Sequence, residues 1–461
     1  MAEKRILILD DGQITSIIAE HSWSDFIDDD DDVDLYIFTS TGALSEKDKT
    51  CSFIKAYKEV PHPTSDGGLE LWAFHMHRQY TFTHIYTKNE DLIIRAAYLR
   101  TLLNIKTGLS ADQVSAYREK VHMKEFASEG GFPVPPFTRL MSPIDLICFI
   151  EKHGYPVIVK PTLGCAVAGL HLISNEDELQ LFLSSKLFSC IDINQRMDLV
   201  GELMVEVFMH GRMFHVNGIA IDGQIIHAWP FAYLQTCFDF AKHGLAYGNS
   251  SVPQSDPLFN RLYNAAQRLL NILPTPHDCL IFHLELYENL DENRLPGDDF
   301  VLCEIAARAP GGSITHLIDL LSFQDNEHNS FARLDFRASV SLPFSLITKE
   351  ENEEQVITDL VIPRKSGKLM YIPRECPIRN LTYIPLANVD KPTTYDTYDV
   401  NSINSACRLI TYSKTMNEGK ELVEKGLAWF DSACIVTPID EPCSVSLIKE
   451  LHRYLNRKIF I

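Results

Sequence analysis

The sequence contains the stretch Ile281-Phe-His-Leu-Glu-Leu-Tyr287 and, shortly after it, Phe300-Val-Leu-Cys-Glu-Ile-Ala-Ala-Arg308. In the first stretch apolar and polar residues alternate, which is typical of a β-strand with one buried face. The second stretch is more apolar and is also interpreted as a strand. The period of two places Glu285 on one face of the first strand, and Glu304 and Arg308 on one face of the second. A turn signal lies between them, so an antiparallel pair that brings the two glutamates together is expected.

Two converging carboxylates repel each other unless a cation lies between Glu285 and Glu304. Mg²⁺ (or Mn²⁺) is the natural cation, because Mg²⁺ prefers oxygen ligands and usually also contacts phosphates. Arg308 can bind a carboxylate or a phosphate through two parallel hydrogen bonds. The alternative is a pair of glutamates that face solvent on a half-exposed sheet.

A lysine ends an apolar strand in Gly154-Tyr-Pro-Val-Ile-Val-Lys-Pro161. An unpaired buried ammonium is costly, so Lys160 needs a partner. The following loop, with Gly164 and Gly169, can bring backbone N–H groups against phosphate oxygens. The alternative is a lysine that extends to solvent at a sheet edge. Lys120 and Lys124 share a helix face, and taken alone this pair is expected to be solvated.

Composition limits the function classes. The 461 residues are 45% hydrophobic and 23% charged, typical of a globular protein of about three domains. The formal net charge of −20 argues against nucleic acid or an anionic membrane as a partner. A small anion is not excluded, because the field of a pocket is set locally. The run Asp28–Asp32 is expected to be a solvated, self-repelling turn, since it lacks the glycine and glutamate of a calcium loop.

Cysteine usage and apolar runs indicate a cytoplasmic protein. None of the eleven cysteines forms a C-x-x-C pair or a cluster with zinc spacing, so reduced thiols are expected. No stretch approaches the ~18 apolar residues that span a bilayer. The apolar run before Asp10 is too short for a signal peptide.

The first third of the chain alternates strands and helices, with strands predicted at Ile6–Leu9, Val33–Phe38 and Thr83–Tyr86. This order favours an α/β sheet with right-handed crossovers. The dinucleotide fingerprint G-x-G-x-x-G is absent. The capping box Ser110-Ala-Asp-Gln113 predicts the next helix. A P-loop, a G-x-S-x-G nucleophile turn and an H-E-x-x-H zinc motif are also absent.

The order of these motifs resembles that of the ATP-grasp superfamily, and within it the carboxylate–amine ligases such as the L-amino-acid (dipeptide) ligases. The resemblance covers about Thr83 to Ala338. It implies a mixed α/β and α+β protein: a Rossmann-like N-terminal domain at 1–117, an ATP-grasp fold of two α+β lobes at 118–343 with its lid at about 118–203, and a C-terminal α+β domain at 344–461.

The resemblance also implies roles for individual residues. Lys120 and Lys160 match the two lysines that contact ATP phosphates, and Glu206-Val-Phe-Met209 matches the hinge that meets adenine. The expected ATP-binding residues are Lys120, Lys160, Gly164, Gly169, Glu206, Val207 and Met209. The expected metal ligands are Glu285 and Glu304. Arg308 matches the arginine that binds the acyl phosphate or the substrate carboxylate. Apart from the resemblance, the stretch Phe238–Tyr247 is expected to border the acceptor site, and His243 within it is a candidate for orienting substrate; the alternative is an ordinary loop histidine.

Three positions depart from the superfamily pattern. The loop Gly164-Cys-Ala-Val-Ala-Gly169 lacks the usual serine, so a hydroxyl contact to phosphate is lost. Ala306 stands where many relatives carry a metal-binding asparagine. An alanine at this position resembles the dipeptide-ligase branch. Met213 stands where many relatives carry a glutamate that recognises ribose.

We therefore expect an ATP- and Mg²⁺-dependent ligase that joins a small carboxylate to an amine through an acyl phosphate, releasing ADP and phosphate. Amino acids or related small acids are the expected substrates. The oligomeric state stays open, with a homodimer as the commonest assembly of soluble enzymes. Two alternatives remain: a ligase or carboxylase with a thiol or bicarbonate acceptor, and a degenerate ATP-binding regulatory protein.

Overall fold

The structure is a computed structural model that describes most of the chain. The described residues are 3–12, 22–165, 169–184, 191–192, 195–196, 202–236, 245–323, 330–345, 355–365, 367–387, 394–395 and 405–437. None of the described helices is both long and apolar enough to cross a membrane.

The first region is a parallel four-stranded sheet with the strand order β3-β2-β1-β4. Its strands are β1 (Lys4–Leu9), β2 (Val33–Ser40), β3 (Ile54–Val60) and β4 (His84–Tyr86), with helices α1 (Glu46–Thr50), α2 (Gly68–Tyr80) and α3 (Ile93–Leu102). Apolar clusters cover both faces of this sheet. Burial on both faces explains why these strands read as continuous apolar runs.

Two short helices, α4 (Ala111–Arg118) and α5 (Lys120–Glu129), connect this sheet to the next. The predicted capping box of Ser110 and Gln113 is confirmed at the start of α4. Glu119 has an extended backbone that ends α4, and its side chain accepts a hydrogen bond from the first turn of α5. The chain therefore changes direction at Glu119, between Arg118 and Lys120.

The second sheet is antiparallel, with the strand order β5-β10-β6-β7. The elements of this lobe are β5 (Phe137–Leu140), α6 (Pro143–His153), β6 (Val157–Pro161), β7 (His171–Ile173), α7 (Glu176–Ser184), β8 (Ile191–Asp192), β9 (Gln195–Arg196) and β10 (Leu203–Val207). Helices α6 and α7 pack their apolar residues on this sheet. Lys160 lies near the end of the central strand β6.

The third sheet has eight antiparallel strands in the order β15-β14-β11-β12-β13-β16-β20-β18. Its first half contains β11 (Met213–Ile221), β12 (Gln224–Tyr233), β13 (Tyr247–Ser251), β14 (Cys279–Glu288) and β15 (Phe300–Ala306), with α8 (Pro257–Leu270), α9 (Ile314–Ser322) and α10 (Phe331–Ser339). Helix α8 packs on one face of the sheet, and α9 and α10 pack on the other.

The remaining elements are β16 (Val356–Pro363), β17 (Gly367–Tyr371), β18 (Leu381–Pro385), β19 (Thr394–Tyr395), β20 (Ser405–Ser413), α11 (Met416–Ala433) and β21 (Ile435–Thr437). Strands β16, β18 and β20 extend the eight-stranded sheet, whereas β17, β19 and β21 form a small sheet of their own. Strands on both sides of the predicted boundary at 343/344 thus share one sheet.

The structure corrects one prediction about the acidic run. Arg333 donates two hydrogen bonds of 2.6 Å to Asp28, and Arg337 binds both carboxylate oxygens of Asp31. The prediction of a self-repelling turn is therefore wrong for Asp28 and Asp31, because two arginines of the distant helix α10 neutralise them. The Asp28 side chain is still exposed, whereas that of Asp31 is buried.

Candidate active site

A buried cluster of two lysines and one glutamate joins α5, β6 and β10. Lys160 Nζ lies 2.6 Å from Glu206 Oε1, and Lys124 Nζ lies 3.2 Å from Glu206 Oε2. Lys124 Nζ also donates to the backbone carbonyls of Leu302 (3.1 Å) and Cys303 (3.0 Å) on the edge strand β15. The expectation that Lys120 and Lys124 are solvated is wrong for both, since their exposed fractions are 8% and 0%. Helical spacing identifies a face of α5 but not the elements that pack on it.

The cluster carries two potential cations for one carboxylate. Burial raises the pKa of Glu206, but Lys124 and Lys160 outweigh burial, and the pKa is lowered. Burial would lower the pKa of Lys160, yet Glu206 outweighs it and the pKa is raised. For Lys124 burial prevails, and its pKa is lowered. With both lysines protonated, the cluster carries a positive excess that favours an anionic ligand at this position.

The loop that follows β6 is held against the junction of α4 and α5. The Lys120 side chain donates through Nζ to the carbonyl of Gly164 at 2.5 Å. The backbone N–H of Lys120 donates to the carbonyl of Thr162 at 2.9 Å. Arg118 Nη1 donates to the carbonyl of Leu163 at 2.6 Å. These contacts place the predicted phosphate-binding loop beside Lys120.

The far end of this loop requires a glycine. Gly169 has a φ of +77°, and a Cβ atom there would lie 2.8 Å from Pro161 Cγ. Both the left-handed backbone and the contact exclude a larger residue without rearrangement. The residues 166–168 between the two predicted loop glycines lie outside the described residues.

The predicted carboxylate pair is confirmed, since Glu285 on β14 and Glu304 on β15 are direct cross-strand partners. Lys120 Nζ lies 2.9 Å from Glu304 Oε2, and the hydroxyl of Tyr233 donates to Glu285. Burial raises the pKa of Glu304, but Lys120 and Lys160 outweigh it and bring the pKa to about 2. Glu304 is therefore ionised at neutral pH.

The carboxylate pair fits a divalent cation by its donor chemistry, because two neighbouring carboxylates supply the oxygen ligands that Mg²⁺ prefers. In this conformation Glu304 is drawn to Lys120. Within the described part of the chain, the only three potential ligand side chains with ligand atoms within 4.8 Å of one another are Asp28, Asp30 and Asp31. The glutamate pair therefore needs a further group, such as phosphate, to complete a coordination shell.

Arg308 follows β15 and forms an ion pair with Glu90, which lies just after β4 of the first sheet. Burial would lower the pKa of Arg308, but Glu90 outweighs it and the pKa is raised. Arg118 Nε also contacts Glu90 Oε1, at 3.1 Å. Sequence reasoning missed Glu90. Its position at the carboxyl end of a parallel strand, where ligands bind in α/β sheets, is the signal that could have found it.

The hinge segment directly follows the buried cluster. The Glu206 carboxylate points to the two lysines, and the backbone N–H of Val207 donates to the carbonyl of Pro136 at 3.0 Å. Val207 and Met209 are partly exposed. The hinge can therefore offer a ligand the carbonyl of Val207 and the backbone of Met209. The candidate His243 lies outside the described residues.

Comparison with known proteins also points to a ligase-like site. No known family model matches the sequence. A stretch of 244 residues is 25% identical to the L-arginine-specific L-amino acid ligase of Bacillus subtilis, over 52% of this chain and 54% of that protein. The chain thus matches about half the length of this curated relative.

Solved structures extend the similarity to most of the chain. The L-amino acid ligase from Bacillus licheniformis has a TM-score of 0.63 at 15% identity, over 95% of this chain and 100% of that one. The carboxyaminoimidazole ribonucleotide synthase from Aspergillus clavatus, solved in complex with ATP, has a TM-score of 0.61 at 16% identity, over 93% and 99%. The chain thus shares the fold of these solved ligases, and its motif order and its local sequence similarity resemble those of the L-amino-acid ligases of the ATP-grasp superfamily.

Proposed function

We propose that this chain is an ATP-dependent carboxylate–amine ligase that forms an amide through an acyl phosphate. The observation that carries the proposal is the cross-strand pair of Glu285 and Glu304 with Lys120 and Lys160 beside it. This combination provides oxygen ligands for a metal and cations for phosphates within one buried site. The curated relative of Bacillus subtilis, an amino acid ligase, supports amino acids or related small acids as substrates.

In this proposal ATP binds between the loop from Gly164 to Gly169, called the lid loop below, and the hinge Glu206–Met209. Lys120 and Lys160 would hold the phosphates, with backbone N–H groups of the loop from Gly164 to Gly169 as further donors. The hinge residues Glu206, Val207 and Met209 would border the adenine. Phosphate oxygens must compete with Glu206 for Lys160 and with Glu304 for Lys120, so nucleotide binding is coupled to a rearrangement of these ion pairs.

In the first chemical step, a carboxylate oxygen of the acid substrate attacks the γ-phosphorus of ATP, and ADP leaves. In the second step, the amine attacks the acyl carbon, phosphate leaves, and the amine nitrogen loses a proton. Glu285 and Glu304 would hold Mg²⁺, which would neutralise charge on the phosphate oxygens. Arg308 would hold the acyl phosphate after giving up Glu90. His243 remains a candidate for orienting the substrate.

The lid loop has a second task in this proposal. An acyl phosphate is lost if water reaches it before the amine does. The contacts of Lys120 and Arg118 to the loop carbonyls already hold the loop close to the carboxylate pair. The same contacts would help to exclude water during the reaction.

Turnover with defined substrates tests the proposal. The purified protein is incubated with ATP, Mg²⁺ and pairs of amino acids, while phosphate release and product masses are measured. We expect an amide product together with stoichiometric ADP and phosphate. Glu304→Ala should abolish turnover, whereas Glu288→Ala, at the partly exposed end of the same strand pair, should retain it.

Two outcomes would contradict the ligase proposal. Tight ATP binding without turnover for any pair of amino acids favours a regulatory ATP-binding protein. The missing serine in the loop between Gly164 and Gly169 supports this alternative. Turnover that depends on a thiol or on bicarbonate instead of an amine favours the other class of acceptor.

A further inference from the structure

A row of buried polar side chains crosses the eight-stranded sheet beside the carboxylate pair. We call this row the polar ladder, and its members are His283 on β14, Asn217 and His215 on β11, Asn249 on β13 and Asp359 on β16. All five are at most 7% exposed. Buried polar groups are costly without partners, so the way in which the ladder satisfies them is informative.

The hydrogen bonds at Asn217 have a defined direction. Asn217 Nδ2 lies 3.2 Å from the carbonyl oxygen of Trp229, which can only accept. The amide orientation is therefore set, and the acceptor atom Asn217 Oδ1 faces His283 Nδ1 at 2.7 Å. His283 must donate through Nδ1, because Oδ1 has no proton to give.

The rest of the ladder has the same direction. Asn217 Nδ2 also lies 3.0 Å from His215 Nδ1, which must accept, so His215 Nε2 donates to Asn249 Oδ1 at 3.1 Å. Asn249 Nδ2 donates to Asp359 Oδ1 at 2.9 Å. Every donor thus meets an acceptor, and the ladder ends on a carboxylate.

That terminal carboxylate is itself fixed. Arg408 on β20 contacts Asp359 Oδ2 through Nε and Nη2, each at 3.0 Å, and the hydroxyl of Ser313 donates to the same oxygen at 2.6 Å. The Trp229 carbonyl and the Asp359 carboxylate are independent anchors that require the same direction. Both therefore hold the His283 ring with its Nδ1 as the donor.

The other nitrogen of His283 faces the proposed metal site. His283 Nε2 lies 3.5 Å from Glu285 Oε1. In the tautomer that the polar ladder sets, the Nε2 atom presents its lone pair toward Glu285 Oε1, which also accepts a hydrogen bond from the Tyr233 hydroxyl. Two acceptor atoms that face each other at this distance are matched by a cation between them. Neighbouring ligands of an octahedral ion at ~2.1 Å lie ~3 Å apart, so a small adjustment suffices.

We propose that His283 is a metal ligand through Nε2, sharing with Glu285 the divalent cation of the ligase site, and that the polar ladder sets the ring for this task. The inference rests on the proposed function, since ATP phosphates would release Glu304 from Lys120 to complete the shell. A histidine ligand that donates its other ring nitrogen to a fixed partner is a common arrangement at metal sites. A nitrogen ligand also shifts the preference of the site from Mg²⁺ toward Mn²⁺.

Spin-echo envelope modulation of the Mn²⁺–ADP complex tests this assignment in the full chain without a catalytic readout. We expect modulation from a directly bound ¹⁴N nucleus, replaced by a ¹⁵N signature when the protein is labelled with ¹⁵N-histidine. The experiment needs no variant, so it does not depend on the folding of a mutant.

Two negative results have different meanings. A bound Mn²⁺–ADP complex without a histidine signal would overturn the role of His283 and leave the ligase proposal intact. Failure of Mn²⁺–ADP to bind at all would overturn the proposed function, and the inference with it.

A variant pair provides a second measurement. We expect His283→Gln to remove the nitrogen signal and to weaken Mn²⁺ binding about 10-fold or more, by analogy with losses at other metal sites. His277→Gln is the matched control, because the His277 side chain is 99% exposed and its ring nitrogen lies 3.1 Å from Asp222, away from the proposed metal site. Equal Mn²⁺ affinity in both variants would contradict the assignment.

Discussion

Arg308 forms its ion pair with Glu90, a residue that lies 218 positions earlier in the sequence. Glu90 follows the last strand of the parallel sheet, whereas Arg308 follows the edge strand of the eight-stranded sheet. The pair therefore links the N-terminal region to the proposed ligase site. In this structure Arg308, which is proposed to hold the acyl phosphate, is neutralised by a carboxylate of the protein itself.

The first prediction concerns this exchange of partners. In Glu90→Gln, Arg308 loses its anionic partner, so an incoming carboxylate or phosphate no longer has to displace a charge. We expect the KM for the acid substrate to fall about threefold or more, which corresponds to roughly 0.6 kcal/mol or more. Steady-state phosphate release measures this change.

The matched control is Glu70→Gln, which removes a comparable ion pair with Arg95 in the N-terminal region. An unchanged or higher KM in Glu90→Gln, relative to this control, would argue that Glu90 supports the site instead of competing with the substrate.

The second prediction separates the two lysines on Glu206. Lys124→Met removes the donor to the carbonyls of Leu302 and Cys303 as well as one cation, so the free energy of unfolding should fall by about 2–5 kcal/mol. Lys160→Met leaves Glu206 paired with Lys124, and its main effect should be a loss of ATP affinity of about 100-fold. Urea denaturation and nucleotide titration of both variants check this order, and the reverse order would refute it.

The third prediction is a pH dependence that arises from Glu304. Its pKa in the folded protein is about 2, below the ordinary value of 4.5. The ionised form is thus favoured by folding, and this stabilisation is fully present above the unfolded pKa and is lost as the pH falls from about 4.5 to about 2.

Glu304→Gln removes this contribution, so its free energy of unfolding should decline less steeply than that of the wild type across the same acidic range. Denaturant unfolding at several pH values measures both slopes. Glu288→Gln serves as the control from the neighbouring strand end. Parallel curves for wild type and Glu304→Gln would show that the Lys120 contact does not stabilise the folded state.

The fourth prediction concerns Arg408 and Asp359. Arg408→Met leaves the fully buried Asp359 without its cation, which should lower the free energy of unfolding by about 3–5 kcal/mol. Arg212→Met is the contrast: its side chain is 58% exposed and lies 4.0 Å from Glu288, so the loss should stay below about 1 kcal/mol. If both variants lost a similar free energy of unfolding, the large contribution expected of the buried Arg408–Asp359 pair would be contradicted.

Local patterns in the sequence were sufficient for much of the candidate site. The period of two placed Glu285 and Glu304 on facing strands, and the structure confirms that pairing. The apolar strand before Lys160 indicated a buried lysine that needs a partner. These features are local because strand alternation and burial depend on residues a few positions apart.

Partners across the chain could not be predicted in this way. Lys124 was expected at the surface, yet it is buried because α5 packs on β15. Asp28 and Asp31 were expected to repel in solvent, yet two arginines of α10 bind them. Nothing within a few residues of these side chains specifies which distant element packs on them.

The sequence alone thus determined the candidate groups: strand-borne carboxylates, a buried lysine and an arginine, in an order that resembles that of the ATP-grasp superfamily. Tertiary structure decided which charges meet, as for Glu90 with Arg308, and which way the polar ladder at His283 is directed. The reason is physical. Residue type and spacing define what a side chain can donate or accept, but the direction of a hydrogen bond depends on an anchor that another strand supplies.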